Sequence, residues 1–296
     1  MQLGRLVIAI LALAVAALSL WILWPLRISE TSTSATTPDI DRGAYLVQAA
    51  GCISCHIDED AAPALSGGRE LHSPFGTFVV PNITPDSETG IGGWSVDQLV
   101  AAIRFGRSPE GHAYFPAFPY RSYRGMTDSD ARNIAAWLLD QPPVSRTTSE
   151  HSLAFPAWLG RKAMPGWNRL ADLLTTEPEP PEDPQIARGA YLARDLGHCG
   201  ECHTPRNWLG IPDSSREFAG AELVEGEAPA ITADVFEGWS EQDFAFFLFL
   251  GLKPDDEYIG GEMEPVIEYN TGPLTEEDRL ALAAFFLRGQ GQATSN

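Results

Sequence analysis

The chain opens on an uncharged apolar run from Leu6 to Leu26, set between Arg5 and Arg27. Such a run is long enough to cross a bilayer as a helix. Trp21 and Trp24 stand near its outer end, where aromatic rings favour the interface. The pattern predicts a retained N-terminal transmembrane helix. The competing reading is a cleaved signal peptide, against which stand the length of the run and its ending in Trp-Pro-Leu instead of small residues. In either reading the rest of the chain is exported. Next come short helical stretches separated by long loops. Ile40 to Ala50 reads as a helix with Tyr45 and Leu46 on its apolar face. Ser95, with Gln98 three residues on, makes a capping box for a helix through Phe105 that Gly106 stops. Thr127 caps a third helix, with Asp130 at its third position and Ile134, Trp137 and Leu138 on its apolar face, and Pro142-Pro143 ends it. Strand signals are confined to short pieces such as Thr77 to Val80.

The same pattern then returns. Arg42-Gly43-Ala44-Tyr45-Leu46 recurs as Arg188-Gly189-Ala190-Tyr191-Leu192, Gly93-Trp94-Ser95 as Gly238-Trp239-Ser240, and Thr127-Asp128-Ser129-Asp130 as Thr275-Glu276-Glu277-Asp278. Matches kept in one order over such a distance mean a duplicated unit. Helices are accordingly predicted over Ser240 to Leu250 and Thr275 to Leu287. The organisation predicted is a membrane anchor (1–29), a Ser/Thr-rich tether (30–38), a first domain (39–144), a connector (145–184), a second domain (185–290) and a tail (291–296). In the connector, Phe155 to Leu174 is apolar and aromatic with interspersed Arg and Lys. It suits packing across the two domains better than lying on a membrane surface.

Composition narrows the chemistry. The chain is 44% hydrophobic and 20% charged, with 23 Pro and 27 Gly, as expected for globular domains with much loop. A net charge of −20 excludes nucleic acid as a partner, because a phosphate polymer would be repelled. The four cysteines all fall in two runs, Cys52-Ile53-Ser54-Cys55-His56 and Cys199-Gly200-Glu201-Cys202-His203. In c-type haem attachment two thiols add across the haem vinyl groups and the next His binds the iron. Two intervening residues let one helical turn reach both vinyls. A zinc site is the alternative for such cysteine pairs, but here the pairs lie far apart in sequence. The motifs therefore predict two covalently bound haem c groups, held by Cys52, Cys55, Cys199 and Cys202, with His56 and His203 as iron ligands.

Taken together, the residues resemble the membrane-bound cytochrome c subunits of periplasmic dehydrogenases, such as those of alcohol and gluconate dehydrogenases. The resemblance spans roughly Asp39 to Arg288. It rests on the repeated Arg-Gly-Ala-Tyr-Leu and C-x-x-C-H runs, Pro74-Phe75-Gly76-Thr77, Asn82-Ile83-Thr84-Pro85-Asp86 and Gly261-Glu262-Met263. It implies a mainly α fold: the N-terminal transmembrane helix followed by two tandem class I cytochrome c-like domains. It places the chain in a bacterial inner membrane as a single-pass protein, with its haem domains in the periplasm. Those subunits commonly carry three haems; two motifs here bring the chain closer to free-standing dihaem relatives.

The sixth iron ligand divides the halves. Met263 stands in the loop before the last helix of the second unit, where class I cytochromes c present a thioether; the other reading is a core methionine. A His/Met pair favours ferrous iron and raises the potential. In the register of Gly106 with Gly251 and Pro109 with Pro254, Met263 meets Phe118, which cannot ligate iron. The candidates left for the first haem are Met126, otherwise a hydrophobic residue ahead of a helix cap, then His112, His72 or an open site. Arg69, Arg104 and Arg107 are candidates for haem propionates or for solvated surface positions.

The function expected is an electron carrier. It would relay electrons between a periplasmic dehydrogenase or quinol-oxidising complex and a terminal oxidase or soluble cytochrome, with the membrane reached through the N-terminal helix. The rival is a dihaem redox enzyme of peroxidase type, using an open or weakly ligated first haem. A third reading is a structural subunit whose haems mainly anchor a partner.

Overall fold

The computed structural model describes residues 2–23, 37–57, 64–154, 157–224 and 226–290. The expected tether, apart from its last two residues, and the expected tail lie outside these residues, as do Trp24, Pro25 and Leu26. Helix α1 spans Gln2–Leu23. The expected transmembrane helix is corrected here: no helix among the described residues is long and apolar enough to cross a membrane. One physical reason is visible: the helix runs beside α7, Met164–Leu174 in the connector, instead of standing alone.

The rest of the chain is two copies of one arrangement. In the first, Asp39 caps α2 (Ile40–Ala49) by accepting from Arg42 N. The short α3 (Cys52–His56) follows, then the hairpin of β1 (Glu70–Ser73) and β2 (Gly76–Val79). Ser95 and Gln98 form the predicted capping box for α4 (Val96–Phe105), and Gly106, left-handed at φ 61°, ends it. After α5 (Tyr120–Tyr123), Thr127 caps α6 (Asp128–Leu139) through Asp130 N. Helices α2 and α6 cross at Gly43, where a Cβ would stand 2.2 Å from Asn133 O. The crossing is what the glycine of the repeated Arg-Gly-Ala-Tyr-Leu run provides: a side chain there would push the helices apart.

From the connector, β3 (Ser152–Leu153) pairs with β2, giving an antiparallel sheet in the order β1-β2-β3. Helix α7 bridges the units, as the sequence suggested. Asn168 accepts from Tyr120 Oη of the first unit at 3.1 Å, and Trp167 Nε1 donates to Leu209 O of the second at 2.9 Å.

The second unit repeats the first with α8 (Pro184–Ala190), α9 (Gly200–His203), the hairpin β4 (Ala221–Leu223) and β5 (Gly226–Ala228), α10 (Glu241–Leu250), α11 (Met263–Val266) and α12 (Glu276–Ala284). Ser240 and Asp243 make its capping box. Gly189 is the counterpart of Gly43, with a Cβ position 1.9 Å from Ala281 O. One difference is local. Between Arg188 and Cys199 the second unit has one residue more than the first has between Arg42 and Cys52. The surplus falls in a π-helical turn, Tyr191–Leu196, which lets α8 keep its register at both ends.

The copies face each other through a reciprocal contact. Tyr45 of the first unit donates its hydroxyl to Asp278 of the second and lies near Thr275 N. Tyr191 of the second donates to Asp130 of the first at 2.7 Å and accepts from Thr127 N at 3.2 Å. Each tyrosine thus completes the cap of the other unit's last helix. Arg188 reaches Asp278 with two nitrogens, at 2.8 and 2.7 Å. Arg42 stands 3.6 Å from Asp130. A single hydrophobic core runs through both units, from Leu46, Val100 and Ile134 to Leu196, Phe218 and Phe285.

Candidate haem-attachment sites

Each C-x-x-C-H run forms a single helical turn. Gly51, left-handed at φ 67°, starts the first, and the Ser54 hydroxyl ties back to Gly51 O at 3.0 Å. His198, also left-handed at φ 43°, precedes the second. One turn places both cysteines and the histidine on the same short segment, as the sequence predicted. The cysteines are all free.

The histidines are held identically. His56 Nδ1 lies 2.8 Å from Pro81 O, and His203 Nδ1 lies 2.7 Å from Pro229 O. A carbonyl only accepts, so Nδ1 carries the proton and Nε2 keeps its lone pair for a metal. Burial drives the His56 imidazole down to about 4, against the smaller opposing effect of the Pro81 bond, and lowers His203 likewise. Both rings are therefore neutral at pH 7. The sequence reading missed both prolines. The signal was the recurrence of Pro81-x-Ile83-Thr84 as Pro229-x-Ile231-Thr232. The two segments are anchored alike, Ile83 N to Leu65 O and Ile231 N to Phe218 O, with Leu65 and Phe218 both left-handed.

The thiols sit in surroundings that favour neutral sulfur. Burial pushes Cys52 and Cys199 up to about 12, and raises Cys55 and Cys202. A thioether to a haem vinyl carries no charge and suits such surroundings. Among the described residues no group of three or more His, Cys, Asp and Glu is placed to hold a metal ion. The donors of each turn, two neutral sulfurs and an imidazole with Nε2 free, fit a covalently attached haem.

The two turns lie together at the unit interface. A Cβ on Gly51 would stand 2.7 Å from Asn270 Nδ2 and 3.2 Å from His198 Nε2, both of the second unit. The Tyr123 hydroxyl donates to Ala50 O, and its ring meets the His198 ring edge-on at 5.5 Å. Glu201, between the second pair of cysteines, accepts from Ser122 Oγ of the first unit at 2.8 Å and pairs with Arg206. Burial raises the Glu201 pKa, but Arg206, the Ser122 bond and His198 outweigh it, so its pKa falls below the usual carboxylate range.

The other predicted residues separate. Met263 is the first residue of α11, half-buried against the core. Its neighbour Glu262 meets Arg69 of the first unit at 2.8 Å, and Arg69 also donates to Ser54 O at 2.7 Å, between the first pair of cysteines. Phe118, half-buried, faces Tyr114, Tyr120 and Tyr123. Met126 is wholly buried. His112 and His72 are exposed, His72 beside Thr77 Oγ1 at 3.1 Å. Arg104 donates to Arg124 O and stands 3.7 Å from Asp128.

No protein-family model matches the chain. Known proteins do. A "Diheme cytochrome c-type" protein of Cereibacter sphaeroides is 43% identical, over 94% of this chain and 95% of its own length. The fructose dehydrogenase cytochrome subunit of Gluconobacter japonicus is 34% identical over 90% of this chain, and the gluconate 2-dehydrogenase cytochrome c subunit of Pantoea cypripedii 33% identical over 83%. The chain spans only 55% and 58% of those two subunits. With a relative this similar end to end, and with its cysteine and histidine turns shaped for covalent haem c, the chain belongs to the dihaem c-type cytochromes, proteins of electron transfer.

Proposed function

We propose that the chain is a two-haem electron relay working with a dehydrogenase in the bacterial periplasm. The observation that carries the reading is the meeting of the two C-x-x-C-H turns, Gly51 against His198 and Asn270. Two redox groups attached there are held near each other by one continuous core. Cys52 and Cys55 would hold the first haem and His56 would supply its iron with a nitrogen; Cys199, Cys202 and His203 would do the same for the second. Met263 would be a further donor to the second haem, and Met126 is the first candidate for the other. When bound, haem c supplies a one-electron ferric/ferrous couple whose potential follows its axial ligands and burial. The chain's own residues do the rest. Pro81 and Pro229 orient the imidazoles. Arg69 holds the Met263 loop against the first attachment turn through Glu262. No proton-transfer group is required.

The dehydrogenase partner is supported by the relatives that are dehydrogenase cytochrome subunits. The periplasm is supported by covalent haem attachment, a process of the outer side of the bacterial cytoplasmic membrane. A haem assay on denatured protein tests the core of the reading: two haems per polypeptide, resistant to acid and solvent. One haem, or extractable haem, overturns it.

A further inference from the structure

Helix α10 is apolar on two sides. Phe244, Ala245 and Leu248 are buried in the core, as the fold requires. Phe246 and Phe249 point the other way, 49% and 45% exposed, and three residues apart they share one face. The loop after the helix turns back on its end through Ile259 N to Gly251 O at 2.8 Å and presents Tyr258, 71% exposed. The first unit shows that the fold does not ask for these rings. In the same register α4 has Ala101 and Arg104, and Arg104 turns inward to Arg124 O and Asp128. The exposed aromatic face belongs to the second unit alone. Exposed aromatic rings of this kind are the side chains enriched at the centres of protein interfaces.

Charge selects the occupant. Beside Tyr258 the face carries the exposed Asp255, Asp256 and Glu257; at its N-terminal end Glu241 is matched by Arg288 at 2.8 Å and Asp243 caps the helix through Ser240. Its nearby cations are already engaged. Lys253 pairs with Glu257 at 3.2 Å, and Arg279 lies over the Phe249 ring while bonding Gly272 O. A second copy would bring the same carboxylates and a net charge of −20, and an anionic surface would be repelled as well. The same loop continues to Met263, the residue proposed above as a donor to the second haem. We propose that the Phe246–Phe249–Tyr258 face docks a redox protein whose own apolar patch is ringed by lysine and arginine. This rests on the relay reading and adds to it which unit meets the outside partner and what that partner's surface is.

The test uses the full haem-loaded chain and a basic, lysine-ringed mitochondrial-type cytochrome c as probe, followed by stopped-flow absorbance. Electron transfer should slow steeply as salt rises. Replacing Asp255→Asn, Asp256→Asn and Glu257→Gln together should cut the low-salt rate constant by about tenfold and flatten its salt dependence. The Phe246→Ser/Phe249→Ser variant should slow transfer at every salt concentration, with its reduction by a small neutral quinol unchanged. Both variants lie on the surface, and the quinol control shows that the haems remain intact. Rates within twofold of the parent in both variants overturn the proposal. So does a dimer in the ultracentrifuge that the Phe variant abolishes, which would make the face a contact between copies. A parent chain that takes electrons from the quinol but passes none to the probe defeats the docking surface alone. One that the quinol cannot reduce defeats the relay reading and the surface with it.

Discussion

The two units agree where the histidine is held and diverge around the methionines. His56 on Pro81 and His203 on Pro229 are the same device to within a tenth of an ångström. Elsewhere the second unit has Met263 at the start of a short helix, while the first has Phe118 among three tyrosines and a wholly buried Met126. The outer faces of α4 and α10 differ in the same sense. A duplicated scaffold thus keeps the device that holds the histidine and is free to change the side chains and outer faces around it. The interface obeys the first rule but not evenly: Arg188 grips Asp278 with two nitrogens, whereas Arg42 only approaches Asp130.

The largest effect should come from removing one attachment turn. Cys52→Ala/Cys55→Ala and Cys199→Ala/Cys202→Ala should each leave one haem per chain by haem assay, and each spectrum should then report the surviving haem alone. Identical spectra from the two variants would break the comparison. Next come the helix crossings. Gly43→Ala and Gly189→Ala both drive a Cβ into a backbone carbonyl, and each should cost about 3 kcal/mol in urea unfolding. A clearly unequal pair would show that the crossings are not equivalent.

The interface should show its unevenness. Asp278→Ala should cost about 2 kcal/mol and Asp130→Ala about 1, both discounted for partial exposure. Burial would raise the Asp278 pKa, but Arg188 and Tyr45 outweigh it and hold it low. A folded pKa below the unfolded one means that its contribution is present above about pH 4 and is lost as pH falls through the folded value. The Asp278→Ala variant should therefore converge on the parent in strong acid. Smallest is Asp195, whose carboxylate lies against Gly125. Burial raises its pKa to about 6, with Arg194 opposing and Glu177 and Glu217 adding. A raised folded pKa gives stability present at low pH and lost as pH climbs to about 6. Asp195→Asn should flatten that fall in a melting-temperature series and be no less stable than the parent at pH 7.

Much of this was legible locally. The box at Ser95, the Thr127 cap and the stop at Gly106 stand where the pattern placed them, because a cap is written within four residues, and the helices after Ser240 and Thr275 stand where the repeat placed them. Tyr45 was harder. Its place on an apolar face was readable, but its hydroxyl is spent on a residue 233 positions away. The recurrence of both Tyr and Asp in the same register of the two copies was the available hint. The proline carbonyls escaped because a backbone acceptor leaves no side-chain signature. The N-terminal helix was misjudged because an apolar run does not show what it packs on: α1 lies along α7 of the connector, a contact distant in sequence.

The central claim is that the haems are unequal, and a spectroelectrochemical titration of the whole chain tests it most directly. The account predicts two resolved one-electron waves. Met263→Ala should lower only the upper wave and remove that haem's thioether-to-iron charge-transfer band. Met126→Leu, which conserves volume and apolarity, should alter only the lower wave if its sulfur is a ligand. A single wave shared by both haems, or a Met263→Ala chain with both potentials unchanged, would contradict it.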